Sequence, residues 1–158
     1  MNIAPHPSLS EYVSKRDFEK TPEPLSGQKK SADLIYVIQK HHARRLHWDL
    51  RLEKEGVLKS WAIPKGIPEA PKIRHLAIET EDHPYDYAAF EGTIPQGQYG
   101  AGLVKIWDSG RYTQKVWEQD KIEINLSGQR LHGNYVLARL KKSENQKNWL
   151  IRNSRCFT

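Results

Sequence analysis

His41-His42-Ala43-Arg44-Arg45-Leu46-His47-Trp48-Asp49-Leu50-Arg51-Leu52 alternates strictly between apolar and polar residues over its second half. A pleated strand sends successive side chains to opposite faces, so Leu46, Trp48, Leu50 and Leu52 line one face while His47, Asp49 and Arg51 line the other. An imidazole, a carboxylate and a guanidinium are thereby presented together, and His41, six positions upstream of His47 on a basic stretch, is near enough to fold back over them. Two histidines and a carboxylate can hold a divalent metal, and an arginine beside them can face an anion. The same alternation also describes an ordinary half-buried strand whose wet face carries charge pairs of little energetic worth. Three of the seven histidines fall between positions 41 and 47, which favours the chemical reading.

Outward from this stretch, short strand-like runs recur at 34–40, 46–53, 57–63 and 76–81, then at 103–107, 111–117, 121–126, 135–140 and 149–152. Lys54-Glu55-Gly56 reads as a hairpin turn, and Pro64-Lys65-Gly66-Ile67-Pro68 with Glu69-Ala70-Pro71 as a longer rigid connection. Asp108-Ser109-Gly110, Glu118-Gln119-Asp120, Ser127-Gly128 and the polar stretch 141–147 separate the later runs. Ile122, Ile124 and Leu126 alternate with Lys121, Glu123 and Asn125, a core-in, water-out pattern without chemistry, and most of the five tryptophans are expected in the core. Eight or nine short strands and no long helix predict a mainly β fold, a closed antiparallel barrel or a sandwich.

The first 33 residues differ. They are polar, carry Pro5, Pro7, Pro22 and Pro24, and end in Ser26-Gly27-Gln28-Lys29-Lys30-Ser31, so they read as an N-terminal arm outside the core, with one domain over 34–158. A chain of 158 residues buries about two-thirds of its unfolded surface and needs no staples. The single cysteine, Cys156, excludes an internal disulfide and a multi-thiolate zinc site, so a metal must take nitrogen and oxygen ligands. No apolar run approaches the roughly 20 residues that span a bilayer, and the first residues lack the order of a secretion signal. The expected setting is the cytoplasm, with no membrane partner. Twenty-five basic against nineteen acidic residues give a net charge of +6, which suits a polyanion, and beside a metal and an arginine a phosphate ester is the better guess than a sugar or a peptide.

Two further segments stand out. Glu79-Thr80-Glu81-Asp82-His83-Pro84-Tyr85-Asp86-Tyr87 runs off a strand into a proline turn, where His83 can donate a proton to a leaving oxygen or bond a phosphoryl oxygen and Tyr87 can add a phenolic hydrogen bond. A turn histidine that only supports local structure fits the same segment. The glycines of Glu91-Gly92-Thr93-Ile94-Pro95-Gln96-Gly97-Gln98-Tyr99-Gly100-Ala101-Gly102 can expose backbone amides to phosphate, but no Walker lysine and no helix follow, so they are read as scaffold.

Val37 through Glu53, with its Gln39-Lys40-His41-His42 and His47-Trp48-Asp49-Leu50-Arg51, resembles the signature of the 3′-phosphoesterase domain of bacterial DNA ligase D. The likeness continues, in the same order, through Leu58-Lys59-Ser60-Trp61-Ala62-Ile63-Pro64-Lys65-Gly66, Glu81-Asp82-His83-Pro84 and Phe90-Glu91-Gly92-Thr93-Ile94-Pro95 to Gly102. Arg16-Asp17-Phe18 and Thr21-Pro22-Glu23-Pro24 fit as well. Trp48 stands where tyrosine is more usual, and His75, with Arg74 one place earlier, stands where an arginine usually precedes the leucine at Leu76.

The resemblance implies a β-barrel enzyme of about eight strands that heals DNA 3′ ends at breaks, with the arm packed near its active site. Such enzymes remove a 3′-terminal ribonucleoside to leave a 3′-phosphate, then remove the phosphate to leave a 3′-hydroxyl, typically with Mn2+, although Zn2+ or Co2+ suit the same ligands. Carried over by position, His41, His47 and Asp49 are the metal ligands, Arg51 and His83 contact the scissile phosphate, and Tyr87 lies beside them. Lys65, Gln39, Glu81, Arg16, Asp17 and Glu23 assist one or other step, and Arg74 or His75 takes the place of the usual arginine. The implied partners are DNA 3′ ends and separate ligase, polymerase and Ku proteins. A non-catalytic DNA-end-binding barrel and an RNA-end or cyclic-phosphate phosphodiesterase are the competing readings, and product analysis with and without metal separates them.

Overall fold

Alternation along each strand fills a barrel. The computed structural model describes residues 6–141 and 144–154, and Cys156 lies outside the described residues. Nine strands follow one another: β1 (Ile35–His42), β2 (Leu46–Lys54), β3 (Val57–Ile63), β4 (Arg74–Pro84), β5 (Gly92–Ile94), β6 (Gly102–Trp117), β7 (Lys121–Gly128), β8 (His132–Arg139) and β9 (Asn148–Asn153). Antiparallel pairing runs β1-β2-β3-β4-β9-β8-β7-β6, and β6 returns to β1, which closes an eight-stranded barrel with β5 as an extra strand on the first residues of β6. The mainly β, barrel expectation therefore holds. Among the described residues helix is confined to α1 (Ser10–Ser14) and to 3-10 turns at Pro7–Leu9 and Tyr85–Ala89. Among the described residues no helix is long and apolar enough to cross a membrane.

Ile38, Leu50, Leu52, Trp61, Ile63 and Ile124 meet in the barrel interior with less than a twentieth of their surface exposed. Burying each such side chain contributes roughly 1.5–3 kcal/mol. Trp61 and Trp149 are fully buried, while Trp48, Trp107 and Trp117 pack on the same core from its edge. The Glu55-Gly56 turn takes positive φ at both residues, 55° and 88°, the requirement of a tight two-residue hairpin. It fixes the register in which β2 faces β3.

The outer face of β1 to β4 is not wet. A second apolar cluster of Tyr12, Leu58, Tyr87, Phe90, Ile94 and Val104 covers it, with Tyr12 supplied by the N-terminal stretch that reads as arm in the sequence. Asp49 and Arg51 are consequently buried between the barrel wall and this cover.

Three local features depart from expectation. The two runs expected on either side of Asp108-Ser109-Gly110 form one sixteen-residue strand, β6. Gly110 is needed there because a Cβ would collide with the Ser127 carbonyl on β7, and Asp108 turns back to accept the amides of Gln129, Arg130 and Leu131. The turn-like residues thus mark a close strand approach and a side-chain cap of a neighbouring loop. Strand β4 runs to Pro84, so His83 lies on a strand and not in a turn. Finally, Leu58 pairs with His83 and Ser60 with Thr80, so the single residue Lys59 of β3 faces two of β4, Glu81 and Asp82. That bulge reverses the alternation of β4 and aims His83 to the outer face.

Candidate active site

His41 and His47 are direct cross-strand partners on β1 and β2, and Asp49 lies two residues beyond His47 on the same face. Their rings are 4.8 Å apart, and Asp49 Oδ2 lies 3.6 Å from His41 Nδ1 and 3.3 Å from His47 Nε2. One donor atom from each of the three falls within 4.8 Å of the others. The remaining ring nitrogens face backbone carbonyls: His41 Nε2 lies 2.7 Å from the Gly100 oxygen and His47 Nδ1 3.0 Å from the Arg45 oxygen. A carbonyl only accepts, so those nitrogens carry the protons and the lone pairs of His41 Nδ1 and His47 Nε2 converge beside Asp49. Ligating histidines have their second nitrogen fixed in this way. Two neutral imidazole nitrogens and one carboxylate oxygen suit a divalent ion and leave positions for other ligands.

Burial alone would raise the Asp49 carboxyl, but the Arg51 guanidinium beside it outweighs burial and holds the group well below the usual carboxylate range. Asp49 is ionised at any physiological pH.

Arg51 follows on the same face, and its guanidinium is anchored on three sides. Nε donates to Gln39 Oε1 at 2.7 Å, Nη2 lies 3.5 Å from Asp49 Oδ2, and the plane rests 4.6 Å from the Tyr87 ring centre. Gln39 is itself held by donating to the Tyr87 and Phe90 carbonyls. Nη1 is buried and meets no acceptor among the described residues. An unpaired buried charged donor is costly and native proteins rarely leave one without a partner, so this atom asks for an anion.

Opposite Arg51, the N-terminal residues complete the wall. Arg16 Nε lies 3.0 Å from Glu23 Oε2, its Nη1 3.3 Å from Glu81 Oε1, and its guanidinium packs 3.9 Å from the Tyr12 ring centre. The Tyr87 hydroxyl donates to Glu23 at 2.7 Å. His83 lies between the two arginines. Its Nδ1 faces the Glu81 carbonyl at 2.9 Å, and burial, with Arg51 and Arg16 adding to it, pushes the imidazole well below its usual pKa. The neutral ring thus donates through Nδ1 and presents Nε2, 3.5 Å from Arg16 Nη2, as an acceptor. These groups surround a pocket of about 280 Å³ whose floor is the His41, His47 and Asp49 cluster and whose wall sets Arg16 and Arg51 against Glu23 and Glu81.

Residues 39–139, more than half of the chain, match the family described as the DNA Ligase D 3′-phosphoesterase domain. The chain belongs to that family. It is 50% identical over 137 residues to the multifunctional non-homologous end joining protein LigD of Mycobacterium bovis, an alignment covering 83% of this chain and 18% of the relative. The LigD proteins of Pseudomonas aeruginosa and Mycolicibacterium smegmatis are 47% identical over 152 residues and 46% identical over 155, each covering 90% of this chain and 18% and 20% of the relative. The chain therefore spans about a fifth of the length of the curated relatives it matches.

Within this phosphoesterase-family barrel, the pocket brings together His41, His47, Asp49, Arg51, His83 and Tyr87, with Arg16, Glu23 and Glu81 from the same expectation. Gln39 lies behind Arg51. Four other expected residues do not line the pocket. Asp17 is exposed and caps its own turn through the Glu19 amide, and Lys65 is exposed in the turn after β3. Arg74 is exposed at the start of β4, opposite Arg152, and His75 Nδ1 bonds the Gly66 carbonyl.

Tyr12, Lys15 and Tyr99 escaped the sequence reading. Lys15 Nζ lies 3.2 Å from Glu81 Oε2, and Tyr99 stands on the pocket rim. The Glu11/Lys15 spacing and the aromatic within a glycine-rich loop are their only sequence signals. That loop is scaffold, as expected, since Gly97 and Gly100 take φ of 87° and 75°. It also supplies the carbonyl that orients His41.

Proposed function

We propose that this chain is a metal-dependent phosphoesterase that heals DNA 3′ ends, first removing a 3′-terminal ribonucleoside and then the 3′-phosphate. The observation that carries the reading is the buried, unpartnered Nη1 of Arg51 beside the convergent lone pairs of His41, His47 and Asp49. A phosphate oxygen satisfies that donor while another reaches the ligand cluster. Membership of the phosphoesterase family and the net charge of +6 support the same substrate class.

A divalent ion held by His41, His47 and Asp49, with Mn2+ favoured over Zn2+ or Co2+, supplies Lewis-acid polarisation of the phosphate. The chain's own groups do the rest. Arg51 neutralises charge that builds on the phosphoryl oxygens. Water adds to phosphorus and the bond to the 5′ oxygen of the terminal ribonucleoside breaks, leaving a 3′-phosphate on the strand. His83, anchored through Nδ1 to the Glu81 carbonyl, gains basicity when the phosphate's negative charge arrives, and its Nε2 takes up a proton that it passes to the leaving oxygen. Tyr87 holds Glu23 and the face of Arg51 in place. A second water releases inorganic phosphate and leaves a 3′-hydroxyl, with Arg16, Glu23 and Glu81 framing the end group. The N-terminal arm, 1–33, belongs to this site through Tyr12, Arg16 and Glu23, which cover the barrel wall. Lys65, Asp17 and Arg74 or His75 contribute from outside the pocket, by meeting the strand as it leaves.

In this reading the protein works on DNA in the cytoplasm, and hands ends to separate ligase, polymerase and Ku proteins, in keeping with the end-joining named for its relatives. A 5′-labelled primer ending in one ribonucleotide tests the activity. With Mn2+ the 3′-phosphate and then the 3′-hydroxyl product accumulate, and EDTA stops both. DNA binding without any product would establish the end-binding module instead, and turnover of all-RNA ends alone the RNA phosphodiesterase.

A further inference from the structure

Tyr99 is a large aromatic side chain that the fold does not use. Its exposure is 47%, and it joins neither apolar cluster. Yet its position is fixed. The flanking loop is closed by the Gln98 amide on the Pro95 carbonyl and the Ala101 amide on the Gln98 carbonyl, and the next residue, Gly100, holds His41 through its carbonyl. The ring therefore stands one residue from a metal-ligand contact, on the rim of the pocket. Two cations flank it: Lys15 Nζ lies 4.8 Å from the ring centre and Arg16 Cζ 5.2 Å.

An exposed aromatic beside cations that track a phosphate backbone is the arrangement by which proteins hold single-stranded nucleic acid without reading sequence. Every base has a π-face, so such a ring accepts any terminal nucleotide. An end-healing enzyme needs that tolerance, because breaks occur at any sequence. We infer that Tyr99 is a stacking platform for one of the two nucleobases flanking the scissile phosphate, a positioning role that rests on the reading of the pocket as a polynucleotide-end site. Lys15 and Arg16, themselves anchored on Glu81, hold the ring in place.

The test uses the full chain in EDTA, so that no end is consumed. Primers carry a 5′ fluorophore for anisotropy and 2-aminopurine, whose emission falls on stacking, at the terminal or the penultimate position. Quenching of one of the two reporters is expected on binding, kept in Tyr99→Phe and lost in Tyr99→Leu. Affinity in Tyr99→Leu is expected to fall by about tenfold or more, from the usual worth of one base-aromatic stack. Binding with quenching identical in wild type and Tyr99→Leu, or with none at either position, overturns the inference and leaves the site reading intact. Absence of any DNA binding by the wild type overturns both.

Discussion

Arg51 and Gln39 meet side by side on adjacent strands, with the guanidinium Nε donating to the Gln39 amide oxygen at 2.7 Å. The amide nitrogen of Gln39 bonds the carbonyls of Tyr87 and Phe90, so the arginine is tied through one side chain to the segment that covers the site. Gln39→Leu removes the acceptor and leaves two buried carbonyls unpaired. We expect kcat to fall by about tenfold or more with a smaller change in KM, because Arg51 acts on charge that develops in the transition state. Gln39→Glu keeps an acceptor for Arg51 and should recover part of kcat. Equal losses in both variants would assign Gln39 a purely structural part.

The ligand cluster predicts a paired outcome. His47→Ala and Asp49→Ala should each lower end-processing by about a hundredfold or more while retaining the native circular dichroism spectrum, and both should lose the Mn2+ binding seen by electron paramagnetic resonance in the wild type. Arg51→Ala should lose activity to the same degree and keep the metal, since its guanidinium faces the anion and not the ion. Asp49→Ala with wild-type Mn2+ affinity would remove Asp49 from the ligand set.

The legible parts of the sequence are those set by local period. Alternation at 46–52 places His47, Asp49 and Arg51 on one face, and the barrel core follows from the same rule at Ile122, Ile124 and Leu126. Less legible were features set by contacts distant in sequence. The bulge that turns His83 outward depends on β3, and the continuity of β6 through Asp108-Ser109-Gly110 depends on β7 and its following turn. The polar composition of the N-terminal stretch hid Tyr12, whose ring is fully buried against His83 and Tyr87. Local period also cannot say how far along the barrel wall Lys65 or Arg74 lies from the pocket, and both are outside it.

Gly128 carries a stability prediction from the same distant contacts. A Cβ there would collide with the Tyr36 hydroxyl and the Asp108 carboxylate, which bond each other at 2.6 Å. Asp108 also accepts three backbone amides of the loop after β7. Gly128→Ala should cost about 1–3 kcal/mol in urea unfolding by overpacking this knot. Retained wild-type stability would show that Tyr36 and Asp108 can part without penalty.

Burial, with two arginines adding to it, holds His83 neutral and sets how stability varies with pH. Burial, then Arg51 and Arg16, lower the folded pKa of His83 far below the 6.5 of the unfolded chain. Between those two values the unfolded chain binds a proton that the folded chain refuses, so stability falls as pH drops below about 6.5. His47 is shifted upward, and below 6.5 it is protonated in both states and adds no slope there. Glu81 acts in a lower window. Burial would raise its carboxyl, but its backbone hydrogen bond and the Lys15 and Arg16 cations lower it from 4.5, so its contribution is complete above 4.5 and is lost as pH falls through the lower, folded value. Urea midpoints in EDTA should therefore decline from about pH 6.5 towards 5 and again below 4.5. His83→Gln should flatten the first decline and leave the second. A first decline of unchanged slope in His83→Gln would mean that His83 titrates normally in the folded protein, and that burial beside the two arginines does not govern its charge.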